Sequence, residues 1–243
     1  MRLAWSGGTF ALVLFGLLAL FLPASPTSAH GDDAASPEQQ LAEKYAPVAG
    51  LKTQQHECDS DGEPYLPSPV EVVLGDPKVT LKQNIEGGSS RTDPVVTSGP
   101  TASDLQGLGP GYYLDFPGNP RKAGCNYERW GRERIDGLEP TVYARLYGRD
   151  GQLALQYWFF YVFNDFNNKH EGDWEMIQLV FDEADAERAL LSEPTSMALS
   201  QHGGGETASW DTPKVHKAGS HPIVFPAAGS HANQYSNGTY LGW

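Results

Sequence analysis

The residues whose types and spacing could do chemistry are gathered in one stretch, Asn164-Asp165-Phe166-Asn167-Asn168-Lys169-His170-Glu171-Gly172-Asp173-Trp174-Glu175. On an extended strand, residues two apart point to the same side with Cα atoms about 6.6 Å apart. The carboxylates of Asp173 and Glu175 can therefore converge on one ion. His170 lies three residues before Asp173, and Gly172 between them is a place where the backbone can turn and bring the imidazole to the same point. Two carboxylates, an imidazole and a side-chain oxygen from Asn164 or Asp165 suit a hard or borderline divalent cation, Mg²⁺, Ca²⁺ or Mn²⁺, better than a thiolate-seeking one. The same spacing also fits a strand whose charged face makes ion pairs while Trp174 packs inward, or an acid and base pair for hydrolysis.

Two more histidines sit in suggestive settings: His202, followed by Gly203, Gly204 and Gly205, and His231 in Gly229-Ser230-His231-Ala232. Three glycines after a histidine suggest an oxyanion loop, but that chemistry needs a G-x-S-x-G nucleophile turn and the chain has none. His170-Glu171 does not open an H-E-x-x-H zinc helix either, since Trp174 occupies the second histidine position. No residue is assigned a catalytic role; His202, His231 and Trp174 remain candidates for lining the same pocket.

The elements that must position these groups are strands. Leu153 to Phe163, LALQYWFFYVF, is an aromatic run too β-prone for a helix and reads as a strand buried on both faces. Thr141 to Tyr147 alternates before it, and Asp173 to Phe181 follows the Asn- and Asp-rich loop. Met197 to Gln201 and Pro222 to Pro226 are further strands, and Asn237-Gly238 is a hairpin turn by composition. Helices are expected at 37–45, where Ser36, Pro37 and Gln39 form a capping signature, at 126–135, and over Asp185 to Leu191. Leu51 to Pro120 reads as extended loops with short β-leaning pieces at Val70 to Leu74 and Val79 to Leu81. The expected fold is mainly β, an antiparallel β-sandwich with long loops and a few short helices.

Composition supports this: 27 Gly and 18 Pro with 11% aromatic residues describe turns and buried rings. The formal charge of −13 argues against a nucleic-acid partner. A run of apolar residues from Phe10 to Leu22 follows Arg2 and precedes the small residues Ala24 to Ala29, the pattern of a secretory signal peptide over 1–29; an uncleaved anchor is the alternative. Losing it removes Arg2 and moves the balance from −13 to −14. Residues 30–36 then form a flexible leader, and 37–243 one β-sandwich domain with no transmembrane span. In an oxidising compartment Cys58 and Cys125 most simply form one disulfide, with free buried thiols as the alternative.

The combination of Leu41-Ala-Glu-Lys-Tyr-Ala-Pro47, Leu155-Gln-Tyr-Trp-Phe-Phe-Tyr161, Asn164, His170-Glu-Gly-Asp-Trp-Glu175 and Pro226-Ala-Ala-Gly-Ser-His231 resembles the exported bacterial branch of the vacuolar-protein-sorting-associated protein sixty-two family, from about residue 40 to the end. It is more distantly similar to the necrosis- and ethylene-inducing peptide-like toxins, whose motif G-H-R-H-D-W-E follows an aromatic strand. That second resemblance implies a β-sandwich holding a divalent ion and engaging membrane sphingolipid headgroups. Matched by motif, His170, Asp173 and Glu175 take the place of the ion-binding His, Asp and Glu, and His202-Gly203-Gly204 that of a later H-G-G. Gly172 replaces the second histidine of the toxin motif, and Asn164 or Asp165 stands for its upstream Asp. The chain ends at Trp243, soon after a strand expected from Thr239, so truncation at the C-terminus is expected.

The resulting expectation is a secreted, metal-binding β-sandwich that contacts a glycan or lipid headgroup at a membrane surface, with binding preferred to catalysis. A metal-assisted hydrolase using His202 or His231 as proton shuttle is the rival, and a purely structural domain the third reading.

Overall fold

The computed structural model describes residues 10–14, 17–20, 35–59, 62–85, 92–201 and 203–238. The chain is mainly β. Its centre is a six-stranded sheet in the order β11-β10-β9-β8-β7-β2, formed by β2 (Leu17–Leu20), β7 (Thr141–Arg149), β8 (Gln152–Asn164), β9 (His170–Phe181), β10 (Ser196–Gln201) and β11 (Gly204–Ser209). A second sheet joins β1 (Phe10–Leu14), β3 (Val48–Lys52), β12 (Lys217–Ala218), β13 (His221–Pro226) and β14 (Asn233–Gln234). Ala49 and Val224 of the second sheet share one buried cluster with Leu155, Tyr157, Phe159, Ile177 and Leu179 of the first, so the apolar faces close on each other as in a sandwich. Pairing is antiparallel except between β3 and β13 and between β2 and β7, which run parallel. A third, small sheet has the order β5-β4-β6, with β4 (Thr80–Gln83), β5 (Val95–Ser98) and β6 (Tyr112–Asp115).

Among the described residues, three α-helices flank the sheets. α1 (Pro37–Lys44) starts with the expected capping box: Ser36 Oγ accepts from Gln39 N, and Gln39 Oε1 accepts from Ser36 N at 2.8 Å. Its Leu41 and Ala42 are fully buried, and the Tyr157 hydroxyl donates to the Ala42 carbonyl at 2.7 Å. α2 (Gly124–Ile135) begins two residues earlier than its pattern suggests, and α3 (Ala186–Ala189) is one turn within the expected insertion. Cys58 and Cys125 form a disulfide, tying the loop after β3 to the first turn of α2 across a sequence separation of 67.

Several expectations change. Val70–Val72 is a 3₁₀ turn instead of strand, because the Val72 and Val73 amides bond back to Pro69 and Val70 carbonyls and the Val70 amide is taken by the Tyr143 hydroxyl at 2.8 Å. β9 starts at His170, so the whole chemical motif from the histidine onward lies on the strand. β3, β5, β6 and β11 are not evident in the sequence; each is short, without a clear alternation of apolar and polar residues, and takes its strand form from the ladder it joins. Residues 235–238, where a hairpin turn is expected, belong to no ladder, and the strand expected from Thr239 lies outside the described residues. Within the segment read as a secretory signal, Phe10–Leu14 pairs with β3 and Leu17–Leu20 with β7 through the backbone. The rest of that segment, and residues 30–34 of the leader, lie outside the described residues. No helix among the described residues is long and apolar enough to cross a membrane.

Candidate metal centre

Strand alternation on β9 sorts the motif onto two faces. Asp173 and Glu175 point into the interior and are 7% and 4% exposed, whereas Trp174 between them points outward and is 44% exposed. Trp174 therefore does not line a pocket with the two carboxylates. Gly172 has φ +67°, a left-handed conformation that costs a residue with a Cβ, and it immediately precedes the pair. Asn164 and His170 face each other across β8 and β9.

Asp173 is the hub. His170 Nε2 lies 3.0 Å from its Oδ1, His231 Nδ1 lies 2.8 Å from its Oδ2, and the Asn164 amide donates to Oδ2 at 3.2 Å. His170 Nδ1 lies 3.2 Å from the Asn168 carbonyl. Behind His231, Glu63 Oε2 is 3.3 Å from Nε2, close enough for charge attraction but outside hydrogen-bond geometry, so Nε2 has no hydrogen-bond partner. Glu63 is held by the Tyr65 and Gly229 amides at 2.9 and 2.7 Å. Glu175 Oε2 accepts from the Ser200 hydroxyl at 3.2 Å. The Tyr161 ring stacks on the His231 imidazole at 3.8 Å with planes 6° apart.

Electrostatics follow from this packing. Burial would raise the Asp173 carboxyl, but its bonds with His170 and His231 outweigh that and hold it well below the usual carboxylate range. For Glu175 the balance goes the other way: burial, reinforced by the Asp173 charge, outweighs the Ser200 hydrogen bond and the two imidazoles and pushes it up to about 7. For His231, burial favours the neutral ring, yet the Glu63 and Asp173 carboxylates on either side overcome it and raise the imidazole to about 9. His170 is raised chiefly by its bond to Asp173. The buried Tyr161 hydroxyl is pushed far up by desolvation and by the nearby Glu63, Glu175 and Asp173 charges.

The structure thus brings His170, Asp173, Glu175, Asn164 and His231 together. Asp165 it does not: that side chain is half exposed and ion-paired with Lys169, because only one of two successive residues can face inward. His202 lies outside the described residues. Glu63 is the member that the sequence hid, the last of four acidic residues between Glu57 and Pro64 in a turn-rich loop, with no local signal of burial.

The fit to a divalent ion turns on the type of the ligand atoms and on what they already bond. The Tyr161 hydroxyl, His231 Nε2 and both amide atoms of Asn233 are buried without a hydrogen-bond partner, which is costly in a protein interior. Carboxylate and amide oxygens are among the ligands a hard cation takes. As the side chains stand, however, they pair with one another. Among the described residues, the group whose potential ligand atoms lie within 4.8 Å of one another is Glu57, Cys58 and Cys125, and its cysteines are committed to the disulfide.

No protein-family model matches the chain, and no curated protein does. Among solved structures, the chain is similar to NLPPya in complex with mannosamine, at 16% identity over 90% of this chain and 76% of that one, with a TM-score of 0.44. A mutant form of NLPPya aligns at 19% identity over 42% and 48% of the two chains, TM-score 0.35. Necrosis and Ethylene inducing Protein 2, from the causal agent of cocoa's witches' broom disease, aligns at 19% over 43% and 50%, TM-score 0.34. The chain spans about half the length of the last two proteins.

Proposed function

We propose that the chain is an extracytoplasmic β-sandwich that binds a divalent cation, Mg²⁺, Ca²⁺ or Mn²⁺, and acts as a binding module for a glycan or lipid headgroup. The observation that carries this reading is the charge imbalance of the interior: Glu63, Asp173 and Glu175 are all buried, against His231 as the one fully buried imidazole among the described residues. An uncompensated carboxylate in an apolar interior is expensive, and a cation supplies the missing positive charge. Asp173, Glu175 and His170 are the residues that would hold it, with Asn164 fixing the Asp173 carboxylate from behind. The oxidised Cys58–Cys125 pair supports a position outside the reducing cytoplasm. The motifs quoted above support, on the same reading, a kinship with the exported branch of the protein sixty-two family. A proton shuttle through His231 is disfavoured because that ring is 0% exposed.

The structural alternative has its own observation, since the chain of Glu63, His231, Asp173 and His170 ties β9 to two loops without any ion. Metal analysis of the purified protein separates the two. About one divalent ion per chain is expected, lost from Asp173→Ala, Asp173→Asn and Glu175→Ala, with circular dichroism confirming that the variants fold. A wild-type protein that takes up no Mg²⁺, Ca²⁺ or Mn²⁺ would overturn the metal reading and leave the structural one.

A further inference from the structure

The face of the six-stranded sheet that points away from the sandwich interior is built of rows set by the ladder registers. Tyr143, Trp158 and Met176 stand side by side across β7, β8 and β9. Arg145, Gln156 and Gln178 form the next row, and Tyr147, Ala154 and Val180 the one after. Apart from Tyr143 these side chains are half-buried or exposed, whereas Leu155, Tyr157, Ile177 and Leu179, which alternate with them, are fully buried. The face is thus bulky at one end, where Trp158 and Met176 stand, and small at the other, at Ala154 and Val180. Its polar groups are already paired: the Gln156 amide donates to Gln178 Oε1 at 2.8 Å, and the Trp158 indole donates to Gln156 Oε1 at 3.3 Å. Groups that bring their hydrogen bonds with them lose little on leaving water. The three rows contain no carboxylate, and their charged member is Arg145, on a chain of net charge −13.

We infer that this face is the interface of a homodimer, with a second copy of the chain as its occupant. Two copies that each carry −13 repel wherever their carboxylates meet; on these rows none do. The face is also complementary to itself. A two-fold axis that lies in the interface and runs across the strands turns the second copy end for end. Trp158 and Met176 of each copy then lie against Ala154 and Val180 of the other, as bulky and small side chains interdigitate between packed sheets. The same rotation carries Arg145 toward the aromatic row of the other copy, where a guanidinium is attracted to ring faces. The extent is adequate for a modest interface. From Tyr143 to Arg149 the face is about 20 Å long, and the five strands from β7 to β11 span about 24 Å. That is roughly 480 Å² of flat area per copy, to which protruding rings add, against about 800 Å² per partner in a standard interface. The dimer is accordingly reversible, with a dissociation constant on the order of micromolar.

Sedimentation equilibrium of the purified protein over a range of micromolar concentrations tests it. The mass doubles with concentration in the wild type. Val180→Glu and Met176→Lys each give single chains, because a homodimer of either variant buries two unpaired charges, while circular dichroism shows both folded. An equimolar mixture of the two variants dimerises again, since the end-for-end arrangement sets the new carboxylate of one copy against the new ammonium of the other. Leu191→Glu, an exposed position just after α3, leaves the dimer as it is. A single-chain mass for the wild type at every concentration overturns the interface; in that case a shift of tryptophan emission on phosphatidylcholine vesicles would assign the face to a lipid surface instead. A dimer that both substitutions leave intact, or a mixture that stays monomeric, overturns it as well.

Discussion

Asp173 holds a histidine on each carboxylate oxygen, and this arrangement makes the protein's stability depend on pH in a definite direction when no cation is present. A group whose folded pKa is raised stabilises the fold below its unfolded pKa and loses that effect as pH climbs through the folded value. Glu175, raised from 4.5 to about 7, and His231, raised from 6.5 to about 9, both follow this rule. Glu171, pushed to about 7 by burial, adds to the first of these limbs. Asp173, lowered from 3.8, has the opposite sign, and its contribution vanishes only as pH falls below that value. In chelator, the urea midpoint is therefore expected to be highest near pH 4.5 and to decline to pH 9. Glu175→Gln removes part of the decline between about 4.5 and 7 and leaves the limb above 6.5 in place. A midpoint that rises between about pH 5 and pH 9 contradicts the assignment. Added Ca²⁺ or Mn²⁺ is expected to raise the midpoint most at about pH 8, where Glu175 is ionised.

At the scale of elements, β9 does two jobs by alternation. Its inward residues make the polar cluster, and its outward Trp174 packs on the opposite face against Tyr143, Trp158 and Phe160. Gly172 sits where the strand enters the motif, at φ +67°, and a Cβ there would also meet Phe160 Cε2 at 3.4 Å. Gly172→Ala is expected to cost roughly 1–2 kcal/mol from the left-handed backbone alone, read by equilibrium denaturation, and to weaken cation binding because His170 and Asp173 flank it. At the far edge of the fold, Ser36→Ala removes the α1 capping box and is expected to cost about 1 kcal/mol without touching the site. The aromatic strand β8, the charged strand β9 and the capping of α1 are all legible in the sequence, since local pattern and hydrogen-bonding chemistry determine them. Val70–Val72 is not, because its β-prone valines are overruled by a tertiary bond, the Val70 amide to Tyr143.

At the scale of the whole molecule, the Cys58–Cys125 bond closes a separation of 67 residues. Chain-entropy reasoning gives about 4 kcal/mol for a loop of that length, so the double variant Cys58→Ser, Cys125→Ser is expected to lose stability in the range of roughly 2–5 kcal/mol by urea titration. An unchanged midpoint would show that the loop after β3 is held by its other bonds, among them Gln54 and the Cys58 amide to Glu128 at 3.1 and 3.0 Å.

The sequence by itself determined the class of fold, the strand that carries the chemistry and the pairing of Asp173 with Glu175 on one side of it, because these are consequences of a two-residue period and of side-chain type. It also determined that His170 could reach Asp173, three residues away across a glycine. Only the tertiary structure decided which face of β9 is interior, and so separated Trp174 from the carboxylates and turned Asp165 outward. Only it brought Glu63 to His231 and its neighbour Gly229, the latter 166 residues away in the chain. Burial is a property of what packs on a residue from elsewhere in the chain, and no local pattern encodes it for one acid among several in a loop or a lone histidine after a serine.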